Sequence, residues 1–235
     1  MANTSLYSTA SSYDYISMAL VEFRGSEKKT LVGKIFCLGR NYAAHAKEMN
    51  TETPEAPIIF LKQSTAILHE GGEVVAPTFS KEVHHEVEMV VLIGREGRNI
   101  SRERALDFVR GYAVGLDMTL RDIQADAKKR GLPWSVAKGF DTSAPISKFV
   151  DKEKVREPYN LDISLKINGR LRQHSNTRNM IFTIEEMIEY ISSIFTLEAG
   201  DLIFTGTPEG VGEVASGDRL EAELESVGTL HVSMR

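Results

Sequence analysis

The 235-residue sequence predicts an α+β fold that is mostly β, because strand patterns outnumber helix patterns. Residues 87–93 form a β-branched apolar run that is typical of a buried strand. Apolar and polar residues then alternate from Leu161 to Ile167, and Asn168-Gly169 predicts a tight hairpin turn directly afterwards. Helices are few and do not alternate regularly with strands, which argues against a doubly wound parallel sheet or a (β/α)8 barrel.

Further strands are predicted along the whole chain, with three helices between them. The strands cover residues 34–38, 58–61, 111–116, 170–174, 201–205, 219–224 and 229–234, and the helices about 101–110, 119–130 and 183–195. The last helix has a capping box of Thr183 and Glu186 and an apolar stripe at helical spacing. Gly131 is the expected stop of the second helix.

Composition indicates one globular domain that acts on a small molecule. Hydrophobic residues make up 42% of the chain and charged residues 26%, and no Pro/Gly/Ser-rich linker interrupts the interior. We therefore predict a single domain over residues 21–235, after a polar and loosely ordered extension over residues 1–20. The net charge of −5 and the lack of a basic stripe argue against nucleic-acid binding.

Cysteine content and hydropathy predict a cytoplasmic protein. The single thiol, Cys37, lies in a short apolar run and is expected to be a core residue, and one thiol fits a reducing compartment. No apolar run approaches the roughly 18 residues that a membrane span requires. Residues 1–20 contain no Arg or Lys, which argues against a secretory signal or an Arg-rich transit peptide.

The segment His84-His85-Glu86-Val87-Glu88 places two carboxylates at the start of an apolar strand. Because side chains alternate along a strand, Glu86 and Glu88 point to the same side. Asp117 ends another strand pattern and adds a third carboxylate. Oxygen ligands favour a hard cation such as Mg²⁺ or Ca²⁺. A solvated strand end explains the two glutamates about equally well, so the metal hypothesis depends on the combination. A zinc site using His84 or His85 is a weaker alternative.

His45 and Glu48 are one helical turn apart if their segment is helical, and a carboxylate can orient a neighbouring imidazole as a general base. An exposed His–Glu pair on a surface helix explains the same pattern, and the sequence alone favours that explanation. Arg121 and Gln124 share a helix face, and with Lys138 they are candidate donors to an anionic substrate or an oxyanion. The glycine-rich segment 205–212 lacks the ending of a phosphate-binding loop; close approach to a carboxylate and an ordinary turn remain equally open.

Together these motifs resemble the fumarylacetoacetate hydrolase family, in its short, acylpyruvase-like branch. The resemblance covers residues 34–235 and leaves out about the first 20. Its pieces occur in the order of the family: Gly39-Arg40-Asn41-Tyr42 with His45 and Glu48, Phe60-Leu61-Lys62, His84-His85-Glu86-Val87-Glu88, Asp117-Met118-Thr119 with Arg121 and Gln124, Pro133-Trp134 with Lys138, and Thr205-Gly206-Thr207-Pro208. One such piece is weak evidence, whereas six in order are specific.

The resemblance implies a rolled, barrel-like mixed sheet with a few peripheral helices, assembled as a homodimer. It implies Mg²⁺, replaceable by Mn²⁺ or Ca²⁺, on Glu86, Glu88 and Asp117. It further implies that the His45–Glu48 segment is a mobile lid. The implied substrate-binding residues are Arg40, Lys62 and Thr207, and the implied catalytic residues are His45, Glu48, Arg121, Gln124 and Lys138.

The activity that this resemblance implies is hydrolysis of an acylpyruvate, a 2,4-dioxo acid, to pyruvate and a carboxylic acid. His45 would activate the water, and the C3–C4 bond would break. Oxaloacetate decarboxylation is expected as a possible second activity of the same site. Alternatives within the family are a decarboxylase–isomerase and an oxaloacetate tautomerase. A non-catalytic, metal-dependent binding protein for 2-oxo acids is the alternative from another class.

Overall fold

The computed structural model describes residues 19–48 and 52–235. The polar extension predicted for residues 1–20 therefore lies, up to residue 18, outside the described residues. Within the described chain, strands dominate and helices are short, as the sequence predicts.

The strands, in chain order, are β1 (Leu20–Glu22), β2 (Lys29–Leu31), β3 (Ile35–Gly39), β4 (Ile58–Lys62), β5 (Ile67–His69), β6 (Glu73–Val74), β7 (Val83–His85), β8 (Val87–Ile93), β9 (Val109–Leu116), β10 (Thr119–Leu120), β11 (Ala144–Ile146), β12 (Val150–Asp151), β13 (Asp162–Ile167), β14 (Arg170–Asn176), β15 (Leu202–Phe204), β16 (Gly212–Glu213), β17 (Arg219–Leu224) and β18 (Gly228–Met234). The α-helices are α1 (Ala43–Glu48), α2 (Arg121–Arg130), α3 (Ser135–Lys138) and α4 (Ile184–Ile194). Short 3₁₀ segments cover Ser64–Ala66, Arg102–Phe108, Lys152–Lys154 and Thr177–Asn179.

The largest sheet is mixed and curls into a half barrel, with the strand order β4-β3-β15-β8-β9-β11-β5 and β12 paired to β9. A five-stranded sheet, β14-β13-β17-β18-β6, packs against it, with β13 contacting β8 and β17 contacting β9. A small sheet, β10-β7-β16, lies at the start of β8. The antiparallel pairing of β8 with β9 forms the centre of the large sheet.

Both faces of β8 are buried, which explains why its sequence is a continuous apolar run. Met89, Val91 and Ile93 belong to the larger core cluster, which includes the apolar face of α4. Val90 and Leu92 belong to the second cluster on the opposite face, together with the buried thiol of Cys37. A strand covered on both sides has no polar face, so alternation is not required.

Local signals fixed several boundaries correctly. Asn168 and Gly169 have φ angles of 51° and 74°, the left-handed pair that the hairpin turn between β13 and β14 requires. Thr183 and Glu186 form the predicted capping box of α4. Gly131 caps α2 with a left-handed φ of 67°.

Two predicted helices were wrong in part. The segment predicted as a helix at 101–110 is a 3₁₀ segment, and β9 begins at Val109 because Val109 pairs with Ile93. The helix predicted from residue 119 begins at Arg121, since Thr119 and Leu120 pair with β7 instead. In both places tertiary pairing overrides local helix propensity. Among the described residues, no helix is long and apolar enough to span a membrane.

Candidate metal and catalytic site

Three carboxylates meet where β8 begins and β9 ends. Val87 pairs with Leu116, so Glu86 directly before β8 lies beside Asp117 directly after β9. The amide of Asp117 donates to the carbonyl of Glu86 at 2.8 Å. Glu86, Glu88 and Asp117 are buried, and each offers a carboxylate oxygen within 4.8 Å of the others. The structure thus brings together the three acids that the sequence singled out.

Cations contact two of these acids. Lys138 Nζ lies 2.8 Å from Glu86 Oε2 and 2.6 Å from Asp117 Oδ2, and Arg121 Nη2 lies 2.5 Å from Glu86 Oε1. Burial by itself would raise the pKa of Glu86, but Lys138 and Arg121 outweigh it and hold this pKa well below its usual value. Burial likewise opposes the charge on Lys138, yet Asp117 and Glu86 raise its pKa. Glu86 and Lys138 are therefore a charged pair.

Glu88 has a different environment. Its carboxylate accepts a hydrogen bond from the backbone amide of Gly206 at 2.7 Å, but the ion pairs of this cluster involve the other two acids. Burial, and then the charges of Asp117 and Glu86, raise the pKa of Glu88 well above its ordinary value. The charge of Lys138 and the amide of Gly206 offset this rise only in part, and among the described residues no ion pair involves Glu88.

The cluster fits a hard divalent cation on two counts. A cation near Glu88 would offset the like-charge repulsion that raises its pKa. In addition, Asp117 Oδ1 is fully buried and accepts no hydrogen bond: the Lys62 ammonium is at ion-pair distance, but not in a hydrogen-bonding direction. Buried oxygens without hydrogen bonds are uncommon in folded proteins, and a metal ligand is one explanation. All-oxygen ligands favour Mg²⁺, Mn²⁺ or Ca²⁺.

Lys62, predicted to bind substrate, lies behind Asp117. Its ammonium is 2.8 Å from Asp117 Oδ1 and also donates to Ser143 Oγ at 3.0 Å and to the carbonyls of Lys138 and Met118. Lys62 is not among the residues that line the pocket at the site. Its position suits fixing Asp117 better than direct contact with a ligand.

The predicted His–Glu pair is formed on α1. His45 Nδ1 lies 3.3 Å from Glu48 Oε2, and both oxygens of Glu48 accept from the amide of Gly210, at 3.0 and 3.1 Å. His45 is only 6% exposed, so the interpretation of an exposed surface pair was wrong for its imidazole. The Glu48 side chain is the more solvent-exposed member of the pair.

A small pocket joins the pair to the acidic cluster. Its volume is about 30 Å³, which is room for roughly one water molecule. The lining comprises Leu38, Gly39, Arg40, His45, Phe60, Glu86, Arg121, Gln124, Lys128, Trp134, Lys138 and Thr207. His45, on α1, is part of this lining, so α1 forms one wall of the pocket. A larger groove of about 590 Å³ runs along β4, but its lining is mostly apolar and carries none of these acids.

The donors are held in place by their neighbours. Arg121 Nη1 donates to Gln124 Oε1 at 2.6 Å, and Arg121 Nε donates to His84 Nδ1 at 3.3 Å. Burial and the charge of Arg121 lower the pKa of His84, which favours the neutral ring that accepts this bond. His85 Nδ1 lies 2.9 Å from Gln173 Oε1. Among the described residues, neither imidazole belongs to the group of potential metal ligands, which consists of Glu86, Glu88 and Asp117, so the alternative of a zinc site at His84 or His85 gains no support.

Lys128 lies in the basic last turn of α2, where it is exposed together with Lys129 and Arg130. Its ammonium lies 5.1 Å from the centre of the Trp134 ring and faces the pocket. Burial, followed by the charges of Arg121 and Arg40, lowers the pKa of Lys128 to about 8. The spacing from Arg121 and Gln124, seven and four residues, marks one helix face and was the signal available in the sequence.

Comparison with known proteins identifies the family of this chain and its relatives. The model of the Fumarylacetoacetate (FAA) hydrolase C-terminal family matches residues 34–235. The oxaloacetate tautomerase FAHD1, mitochondrial, of Bos taurus is 50% identical over 193 residues, covering 82% of this chain and 87% of that protein. An uncharacterised protein of Pyrococcus abyssi is 50% identical over 214 residues, covering 91% of this chain and 95% of its own length.

Among solved structures, fumarylpyruvate hydrolase from Pseudomonas aeruginosa, in complex with Mn²⁺ and pyruvate, superposes with a TM-score of 0.90. It is 37% identical and covers 98% of this chain and 99% of its own. The family match, the identity and the half-barrel architecture agree. The chain belongs to the fumarylacetoacetate hydrolase family, whose members matched here include hydrolases, isomerases and tautomerases.

Proposed function

We propose that this protein is an enzyme that depends on a divalent metal and has a 2-oxo acid as its substrate. Its first candidate reaction is the keto–enol tautomerisation of oxaloacetate. The observation that carries the proposal is one pocket lined by His45, by Glu86 of the acidic cluster, and by the donors Arg121, Gln124 and Lys138. Relatives at about 50% identity that bear the name oxaloacetate tautomerase support this choice of substrate.

Glu86, Glu88 and Asp117 would hold the cation, for which we propose Mg²⁺, with Mn²⁺ or Ca²⁺ able to replace it. When bound, such a cation polarises a 2-oxo acid and favours loss of a proton from the neighbouring carbon. The Mn²⁺ in the structure of the fumarylpyruvate hydrolase supports the proposal of a divalent metal.

In the proposed reaction, His45 takes a proton from C3 of oxaloacetate, and Glu48 orients the imidazole and favours its charged form. The protonated His45 then returns this proton to the 2-oxo oxygen, which completes the enol and restores the neutral imidazole, so atoms and charge balance and the reaction is an isomerisation. Arg121, Gln124, Lys138 and Thr207 line the same pocket and would hold the carboxylates, with Arg40 at its edge.

Hydrolysis of an acylpyruvate is the second candidate. Here His45 takes a proton from water, the water oxygen attacks the distal acyl carbonyl, and the C3–C4 bond breaks to give pyruvate and a carboxylic acid. The donors Arg121, Gln124 and Lys138 suit the oxyanion of this step. The similarity in fold to a fumarylpyruvate hydrolase that was solved with pyruvate, at a TM-score of 0.90, supports this candidate. Loss of CO₂ from oxaloacetate is a further possible reaction that needs no attacking water.

A substrate panel with Mg²⁺ tests these candidates on one preparation. Tautomerisation removes the ultraviolet absorbance of enol-oxaloacetate without releasing pyruvate. Decarboxylation yields pyruvate and CO₂, and cleavage of acetylpyruvate or fumarylpyruvate yields pyruvate and an acid. Metal-dependent binding of a 2-oxo acid without turnover of any substrate would overturn the enzyme proposal in favour of a binding protein.

We also infer a homodimer from the family, which remains a prediction for this chain. Light scattering at micromolar concentration checks it, and a monomer there would contradict it. The net charge of −5 further leads us to expect no affinity for DNA in the same concentration range.

A further inference from the structure

Gln173 is a buried residue of β14 that lies beside the site without lining the pocket. Its Oε1 accepts from the amide of Val87 at 3.0 Å and lies 2.9 Å from His85 Nδ1. Its Nε2 donates to Thr207 Oγ1 and to the carbonyl of Pro208, both at 2.9 Å. One side chain thus connects the start of the metal-binding strand to the 205–210 loop.

The orientation of this amide is fixed by its partners. The carbonyl of Pro208 can only accept, so it requires the NH₂ group, and the amide of Val87 can only donate, so it requires the oxygen. His85 Nδ1 must then carry a hydrogen, because it faces the same oxygen. A buried amide whose polar atoms are all paired in this way holds its neighbours in one arrangement.

The 205–210 loop contacts both halves of the proposed machinery. At one end, the amide of Gly206 donates to Glu88 in the acidic cluster at 2.7 Å. At the other end, the amide of Gly210 donates to Glu48, the partner of His45. Asn41, just before α1, also donates to the carbonyl of Thr205 at 2.8 Å. The loop therefore runs between the acids and the His–Glu pair and is bonded to each.

We propose that Gln173 is a positioning residue that fixes the 205–210 loop on β8. It thereby holds the acidic cluster and the His45–Glu48 pair at a constant distance from each other. The inference rests on the proposed function for its catalytic consequence. Its structural part, that the order of α1 depends on Gln173, stands independently of any reaction.

Two variants test it. Gln173→Glu keeps the shape and the accepting oxygen but replaces the NH₂ donor by an oxygen that faces the carbonyl of Pro208. Gln173→Met removes these donor bonds and also the acceptor for Val87 and His85, without adding a buried charge, and it serves if the first variant does not fold. The matched control is Asn176→Asp, on the same strand and also buried, whose amide contacts Asp162 rather than the loop.

Three measurements are made on full-length protein: amide hydrogen exchange, Mg²⁺ titration by calorimetry, and kcat with KM on the substrate identified by the panel. In the Gln173 variants we expect exchange of residues 41–48 and 206–210 to rise at least about tenfold. We expect kcat to fall about 10- to 100-fold, the usual effect of a lost supporting contact, with KM changed less than about threefold. Asn176→Asp should show neither effect at a comparable melting temperature.

Unchanged exchange in both Gln173 variants would overturn the inference, as would the same local exchange increase in Asn176→Asp. Faster exchange with an unaltered kcat would overturn the positioning role. If the wild-type protein turns over no substrate, the proposed function fails. Amide hydrogen exchange of residues 41–48, measured with and without Mg²⁺ in the wild type and the Gln173 variants, then still decides whether Gln173 connects the acidic cluster to the His45–Glu48 pair.

Discussion

Lys62 Nζ lies 2.8 Å from Asp117 Oδ1, and both side chains are almost completely buried. The same carboxylate receives Lys138 on its other oxygen at 2.6 Å. Asp117 is thus held between two lysines in the interior. Removing Lys62 would leave Asp117 with Lys138 on one oxygen and its buried Oδ1 without a partner, and breaking a buried ion pair costs far more than the loss of a surface pair.

Lys62→Met should therefore destabilise the protein by roughly 3–5 kcal/mol in the absence of metal, measured by denaturant unfolding. Added Mg²⁺ should recover more stability in this variant than in the wild type, because the cation compensates the charge of Asp117. Lys148→Met is the control: Lys148 pairs with Glu22 on the surface, and its loss should change stability by no more than about 0.5 kcal/mol. An effect of Lys62→Met as small as that of the control would contradict the role assigned to Lys62.

Asp117→Asn should lower Mg²⁺ affinity by about tenfold or more and abolish activity, because a neutral amide replaces one anionic ligand. Glu86→Gln should act in the same direction. Asp126→Asn is the matched control, since Asp126 is exposed on α2 and pairs with Arg130. Calorimetric titration provides the measurement, and undiminished affinity in both site variants would refute the metal assignment.

Mg²⁺ binding should release protons and strengthen as pH rises. The pKa of Glu88 is raised from 4.5 by burial and by its acidic neighbours, so the metal-free protein keeps a proton there at pH values where an ordinary glutamate has lost it. The cation needs the carboxylate and must displace that proton, so affinity rises with pH until the raised pKa is passed. Glu86, whose pKa is lowered, is already ionised and contributes no proton.

By linkage, the same group makes the metal-free protein less stable as pH rises from 4.5 through its raised pKa, since the folded state binds the proton more tightly than the unfolded state. Titrations in two buffers of different ionisation enthalpy measure the released protons. A pH-independent affinity with no proton release would show that Glu88 is ionised before the metal binds.

The sequence predicted the parts of the site that follow from local spacing. Glu86 and Glu88 follow from strand alternation, and His45 with Glu48 follows from helical spacing. It did not predict what depends on long-range packing. Gln173 reaches the site only because β14 packs near β8, and Lys62 turned out to support Asp117 because β4 passes beneath it. Similarly, β9 and β10 shortened two predicted helices through pairings that no local pattern reveals.

The last prediction concerns His45, and it separates two kinds of chemistry. Tautomerisation and hydrolysis need a base that moves a proton, whereas loss of CO₂ from a polarised 2-oxo acid does not. General-base catalysis typically contributes about 100- to 10,000-fold. His45→Ala should therefore slow oxaloacetate tautomerisation or acylpyruvate hydrolysis by about that factor, while Mg²⁺ affinity stays unchanged. Any decarboxylation should fall much less.

The protein contains its own control for this experiment. His231 and Glu70 form another His–carboxylate pair, with the imidazole 2.9 Å from the carboxylate, but that pair is exposed and neither residue lines the pocket. His231→Ala should leave every activity unchanged. Equal losses of proton-transfer and decarboxylation rates in His45→Ala would make His45 a lid or positioning residue, because its side chain lines the pocket whatever chemistry occurs there. No loss of either rate would show that the buried pair on α1 is structural. The ratio of the two losses on one preparation is thus the measurement that assigns the role of His45.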